Sequence, residues 1–446
     1  MSFLKPLSIS LSPNTEKDDV LLAFKLLWQP WRWKKGKDIE ILEEEFAKYL
    51  GVHPHTTTRT DFVNLGTKET LPSFGVGVKH AISFNSGRSS LMAILSVIKE
   101  NSLLSFDKSQ DEVLLQAFTC NAVPNPIIWS GLKPVYVDAN ENTFNISVED
   151  LQRKITEKSR AVIVQHTFGL PADMDKIIEV CQKYNLVLIE DCAHSLGAVY
   201  NNKKVGTFGK VSFFSFSRDK VISSVYGGMV ATNDPSLAEK IRQAQGKFGF
   251  PSYFWIFQQL LHPILMNWLI LPTYRIFGKY LLMMLQWLHI LSKAVHWKEK
   301  MGLIPGYFPK RLPNALAILA LNQFQKLEIF NNHRKKIADF YRSELTNTSF
   351  GLPLDSEQIY LRFTIKHPRV HEIIRKAWQK NILIGDWYTT AIVPHDTRLE
   401  KMQYYIGSCP VAEKLAKITL NLPTHINISK TDAEKIVFFL KSNEKI

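Results

Sequence analysis

Lys220 stands alone among small polar residues in the stretch VSFFSFSRDKVISSVYGGMVATND, directly after an apolar run. A deprotonated lysine amine attacks carbonyl carbon, and burial near other cations favours that neutral form. A lysine just past a strand is also commonly a mere solvated charge, so its chemistry depends on what converges there. Asn85-Ser86-Gly87-Arg88-Ser89-Ser90 follows the apolar HAISF and opens a helical pattern. Free backbone N–H groups at such a start suit a phosphate, and Gly87 permits close approach; a plain helix cap is the alternative. Glu190-Asp191-Cys192-Ala193-His194 follows LVLI and supplies an acid at a strand end.

The elements around these clusters decide whether they can meet. From about Lys79 to Asp234 short β-rich runs alternate with helical patterns: HAISF, EVLLQAF, KPVYVD, RAVIVQH and LVLIED, with DMDKIIEVCQKYN between the last two. This alternation predicts an α/β fold, a mostly parallel sheet covered by helices. Ligands in such sheets sit beyond the carboxyl ends of the strands, where all three clusters fall.

Together they fit pyridoxal phosphate, which needs a lysine for a Schiff base, an acid for its pyridinium nitrogen and a phosphate cradle. Lys220, Asp191 and the Gly87 helix start supply these in turn. Ser215, five residues before the lysine, is placed to help hold the phosphate.

At these residues the sequence resembles the DegT/DnrJ/EryC1/StrS family of sugar aminotransferases. YNLVLIEDCAHSLGAVYNNKKVGTFGKVSFFSFSRDK is similar to that family's cofactor segment, and CPVAEKLAKITLNLPTHINISKTDAEKIVFFL to its C-terminal signature. The resemblance implies a fold type I aminotransferase with a smaller C-terminal α+β domain. It implies Lys220 as the Schiff-base lysine, Asp191 as the ring-nitrogen partner and His194 as the partner of the phenolic oxygen. Arg88, Ser89 and Ser215 match phosphate-binding positions. His166 matches a histidine near the substrate, and its alternative is a satisfied core residue. Arg311 corresponds to a residue that reaches the partner subunit's site. The sequence also departs from the family. Cys120 stands where a flat aromatic usually stacks on the cofactor ring, so either the ring rests on Cys120 or Phe118 substitutes. Arg218-Asp219 stands before the lysine where a histidine pair is usual.

The 446 residues are 45% hydrophobic and 22% charged, a globular composition. Four cysteines without a CxxC pair indicate neither a zinc site nor a disulfide framework, and favour a reducing cytoplasm. The first residues lack the pattern of a signal peptide. The net charge of +14 favours anionic partners. Basic residues are dispersed and no nucleic-acid-binding signature appears, so nucleic acid is not expected.

One segment falls outside the family pattern. Residues 251–300 are rich in Trp, Phe, Leu and Met, and Pro251, Pro263 and Pro272 are expected to break them into short helices. No stretch of about twenty residues is free of polar groups, so a spanning helix is not expected. Arg275, Lys279, Gln286, His289 and Lys293 are spaced as one narrow helical stripe, with the remainder apolar. The segment is therefore either a dimer-interface or core insertion, or a monotopic hairpin in one leaflet at the inner face of the membrane. WQPWRWKKGK, Trp28 to Lys37, interleaves three tryptophans with four basic residues and favours the membrane reading. Its alternative is a nucleotide-binding edge or a solvated turn.

The expected organisation is a large cofactor domain over 1–247, the insertion over 248–306 and a small domain over 307–446. The expected activity is amino transfer from glutamate or glutamine to a keto-sugar, nucleotide-linked, in cell-surface polysaccharide or glycolipid synthesis, by a homodimer. No metal is expected. The rival is a catalytically idle member acting as a membrane-associated scaffold or regulator.

Overall fold

The computed structural model describes residues 5–51, 78–101 and 111–444. Seven strands form the central sheet: β1 (His80–Phe84), β2 (Glu112–Gln116), β3 (Lys133–Val137), β4 (Ser159–Gln165), β5 (Val187–Asp191), β6 (Val211–Ser215) and β7 (Gly228–Thr232). Their order is β1-β7-β6-β5-β4-β2-β3. All neighbours pair in parallel except β7, which runs antiparallel to both β1 and β6.

The strands read as continuous apolar runs because both faces are covered. Along β2, Val113 and Leu115 face one core while Leu114 faces the other, and β4 alternates likewise. The helix Met174–Lys183 packs Ile177 and Val180 on one face. Helix α3 (Gly87–Asn101) and the helix Pro235–Lys247 pack Leu91, Ile94 and Ile241 on the other. Each fully buried Leu or Ile contributes about 1.5–3 kcal/mol.

Near the N-terminus, α1 (Lys17–Leu27) and α2 (Asp38–Gly51) join a further core with the helix Asn314–Phe324 and with Phe214 and Phe216 of the lysine-bearing segment. The C-terminal part has its own core, built from Ile337 onward around the antiparallel pair Arg362–Lys366 and Thr419–Pro423. Leu7–Ser8 pairs with Ile382–Leu383 and ties the N-terminal segment to it.

The insertion differs in detail from its sequence expectation. Helix α4 (Tyr253–Leu265) continues through Pro263, which sits in its last turn, and a π-helical turn over Met266–Ile270 follows. The break falls at Pro272. Beyond it the chain turns by 110° into a second limb, Tyr274–Trp287, which contains α5 (Lys279–Trp287). No single helix among the described residues is long and apolar enough to cross a membrane, although the two limbs together pass that test. The stripe of polar residues is not one helical face, because His289 adopts a positive φ and ends the helix before Lys293. Trp33 of the N-terminal aromatic cluster is buried, whereas Trp28 and Trp31 are exposed.

Candidate active site

The carboxyl ends of β5 and β6 and the start of α3 surround a pocket of about 170 Å³. Lys220, Asp191, His194, Ser215, Gly87, Arg88 and Cys120 all line it. The three clusters thus converge as the strand-end argument requires.

Lys220 is partly buried in the pocket wall, and desolvation holds its amine below the ordinary lysine range. Its Nζ lies 2.8 Å from His194 Nε2. The Phe168 N–H donates to the other nitrogen of that ring, Nδ1, at 3.4 Å. A neutral imidazole that accepts at Nδ1 carries its proton on Nε2. Nε2–H therefore donates to Lys220, which must be an uncharged amine to accept. Burial, with Lys220 and Arg362 nearby, holds His194 well below the usual range and keeps it neutral. In cofactor-free protein, carbonyl capture by Lys220 should have its pH midpoint below the ordinary lysine value of about 10.4. A pH series of reductive labelling checks this, and a midpoint at or above that value contradicts it.

Asp191 ends β5. Its Oδ1 accepts the Ala193 N–H at 3.0 Å, and burial holds its carboxyl above the ordinary range. Its neighbour Glu190 points to the opposite face and is fully used there. Glu190 accepts the N–H groups of Gly206, Phe208 and Gly209 at 2.6–2.7 Å. His166 Nε2 meets the same carboxylate at 3.2 Å, while His166 Nδ1 accepts the Ala172 N–H. His166 is thus completely buried and outside the pocket lining, as in its alternative reading as a satisfied core residue. His166, Glu190 and Cys192 lie close enough to ligate a metal ion, but these hydrogen bonds already occupy His166 and Glu190.

Gly87 begins α3 against the end of β6. A Cβ there would stand 3.2 Å from Ser215 Cβ and 3.6 Å from its Oγ. A side chain on Gly228 would overlap the Ser86 carbonyl. This leaves the helix start open to the pocket, and Ser215 and Ser217 place hydroxyls 3.2 Å apart beside it. Ser89 does not share in this. Its hydroxyl donates to Asn85 Oδ1 at 2.6 Å and its N–H to Ser86 Oγ, so it belongs to the helix cap and not to the pocket lining. Arg311 also lies away from the pocket, with its guanidinium over the Phe250 ring.

Arg88 lines the pocket but pairs through Nε with Glu299, whose side chain is fully buried. Glu299 comes from the end of the insertion. Glu299→Ala would strand Arg88 as an uncompensated buried charge, a loss of about 3–5 kcal/mol of folding stability measurable by denaturant titration. A loss under about 1 kcal/mol would show that water or another group already satisfies Arg88.

Sequence reasoning missed several lining residues. Arg362 reaches in from the C-terminal part, bonds Asp219 at 2.6 Å and lies 3.5 Å over the Trp387 ring. No spacing signal links residues 143 positions apart. Arg218 bonds Ser292 of the insertion, and Ala294 and Val295 form part of the pocket wall. Phe118 and Cys120, the two alternatives for the ring face, differ in packing. Phe118 is buried against Phe144 and Tyr388, whereas Cys120 lines the pocket.

An open helix start, an amine of lowered basicity and a buried carboxyl group in one pocket fit pyridoxal phosphate, which Lys220, Asp191 and the Gly87–Ser215 cradle would hold. The sequence profile of the DegT/DnrJ/EryC1/StrS aminotransferase family matches residues 70–265 and 278–441. The chain belongs to this family. It is a pyridoxal-phosphate-dependent sugar aminotransferase of fold type I. The gap, residues 266–277, covers the bend and the adjoining ends of the two apolar limbs, so the rest of 251–300 lies inside the family match, contrary to the expectation that the whole segment falls outside it.

The DegT/DnrJ/EryC1/StrS chain is 36% identical to the spore coat polysaccharide biosynthesis protein SpsC of Bacillus subtilis, over 95% of this chain and 94% of that protein. It is 27% identical to the GDP-perosamine synthase of Escherichia coli O157:H7, over 74% and 78% respectively. Helicobacter pylori PseC, an aminotransferase involved in the biosynthesis of pseudoaminic acid, superposes with a TM-score of 0.70 at 20% identity. That superposition covers 99% of this chain and 100% of that one.

Proposed function

We propose that this protein transfers an amino group from glutamate or glutamine to a nucleotide-linked keto-sugar in the synthesis of a cell-surface polysaccharide or glycolipid. The observation that carries the reading is the convergence of Lys220, Asp191 and the α3 start in one pocket. Relatives named GDP-perosamine synthase and UDP-N-acetyl-3-dehydro-alpha-D-glucosamine 3-aminotransferase support the nucleotide-linked sugar. The net charge of +14 suits a diphosphate substrate.

When bound, pyridoxal phosphate supplies an electron sink that stabilises a carbanion at the reacting carbon. The chain's own residues do the rest. The neutral amine of Lys220 would hold the cofactor and, as a base beside the reacting carbon, would carry the proton. Asp191, ionised beside a ring nitrogen, keeps that nitrogen protonated. His194 Nε2–H, freed from Lys220, is positioned to donate to the phenolic oxygen. The α3 N–H groups, Ser215 and Arg88 hold the phosphate, with Glu299 orienting Arg88. Cys120, which lines the pocket, would form one face of the ring site. Two copies form the working enzyme, and Arg311 is proposed to act in the partner's site. The four free cysteines fit a reducing cytoplasm.

The idle-member reading rested on Cys120 and on Arg218-Asp219. Both charged residues are tied into the pocket wall, Arg218 to Ser292 and Asp219 to Arg362, and Lys220 remains free to react. The deciding experiment incubates cofactor-loaded protein with each donor and a panel of nucleotide-linked keto-sugars. Mass spectrometry should show amine in place of the ketone oxygen for at least one sugar. Amination of simple keto acids alone would overturn the sugar assignment.

A further inference from the structure

The aminotransferase chemistry makes no use of the outer surface of the insertion. Helix α5 has no buried residue. Leu281, Leu282 and Leu285 turn inward onto the small core of Met266, Ile270, Leu271 and Leu291. Its opposite side is also apolar: Tyr280 is 69% exposed and Trp287 76%. Phe254, Trp268 and Phe277 extend the exposed surface along the other turns. The Phe24 ring of α1 lies 5.7 Å from Trp268, so α1 continues the patch towards exposed Trp28. Exposed apolar surface of this extent marks a docking face.

Charge and shape select the occupant. From Pro251 to Lys298 the sequence contains no Asp or Glu, while Arg275, Lys279, Lys293 and Lys298 are basic. Arg275, Lys279 and Tyr280 also border a groove of about 480 Å³ beside the patch, which Asp386 shares. In a two-fold interface with a second copy, the patch would meet itself and set cation against cation. An anionic lipid surface instead complements the charge, and tryptophan and tyrosine rings with flanking lysine and arginine suit its headgroup layer. The 110° bend between two limbs, neither long and apolar enough to span alone, suits a hairpin that enters and leaves by one leaflet.

We propose that the insertion and the outer face of α1 dock the protein into one leaflet of an anionic phospholipid bilayer. The inference rests on this surface alone and stands apart from the choice of sugar. Docking places the membrane beside the active site, because the segment returning from it supplies Ala294 and Val295 to the pocket wall and Ser292 as the partner of Arg218.

The test is sedimentation of the full-length, cofactor-loaded protein with vesicles of phosphatidylcholine alone or with about one third phosphatidylglycerol. Partition onto the anionic vesicles should be about tenfold stronger or more, and high salt should release only part of it. Trp268→Ser and Trp287→Ser should each reduce partition about tenfold, with cofactor absorbance and melting temperature unchanged because both side chains are exposed. Lys279→Glu should reduce the preference for anionic vesicles by about fivefold or more. No partition onto either vesicle would overturn the proposal. So would a Trp268→Ser/Trp287→Ser protein that falls from dimer to monomer without any vesicle effect, since a second copy would then cover the face.

Discussion

Lys220→Ala removes turnover and the visible absorbance of lysine-bound cofactor. Alanine has neither an amine to attach the cofactor nor a base to move the proton, so both functions vanish together. Proton transfer alone is worth about 10²–10⁴-fold, and loss of the attachment adds to it. Arginine does not rescue, because its guanidinium stays protonated and is a poor nucleophile. The fold should survive. The Lys220 side chain meets His194 across the pocket, while its backbone carbonyl keeps the hydrogen bond from Asn14. An alanine variant that melts like the parent but turns over normally would remove Lys220 from the chemistry.

Asp191→Asn keeps the cofactor but loses activity by about 100-fold or more, the scale of removing one preorganised electrostatic partner. The amide cannot hold the ring nitrogen protonated, so the electron sink weakens. The pH dependence separates this role from a structural one. Burial raises the carboxyl of Asp191, which favours its protonated form in the cofactor-free protein. A cationic ring nitrogen favours the ionised form. Cofactor affinity should therefore fall as pH drops through the Asp191 titration, and the Asn variant should lose that dependence. An unchanged pH profile in the variant would place Asp191 away from the ring nitrogen.

The strand ends were legible because hydrophobic runs in a parallel sheet are long and their carboxyl ends collect ligands. Lys220, Asp191 and Gly87 follow from that rule with little further help. His166, assigned by resemblance alone, turns its ring away to the buried Glu190, and no local pattern distinguishes that from a pocket position. A helix start uses serine equally for capping and for ligands, and the Ser89 hydroxyl points back to Asn85. Arg362 was invisible, since only the packing of the C-terminal part on the sheet brings it to Asp219. Composition singled out the apolar segment, of which the family profile leaves only 266–277 unmatched, but not its shape. Pro263 did not break α4, because it falls in the last turn, where few helical bonds remain to be lost. Nor could periodicity foresee that a positive φ at His289 would end the polar stripe.

The central claim is that this pocket performs amino transfer, and a single half-reaction tests it most directly. Cofactor-loaded protein is mixed with excess glutamate or glutamine, and the visible absorbance and the keto-acid product are followed together. Loss of the lysine-bound absorbance with one equivalent of keto acid released per chain is the predicted result. An absorbance that persists, with no keto acid formed from either donor, would contradict the account.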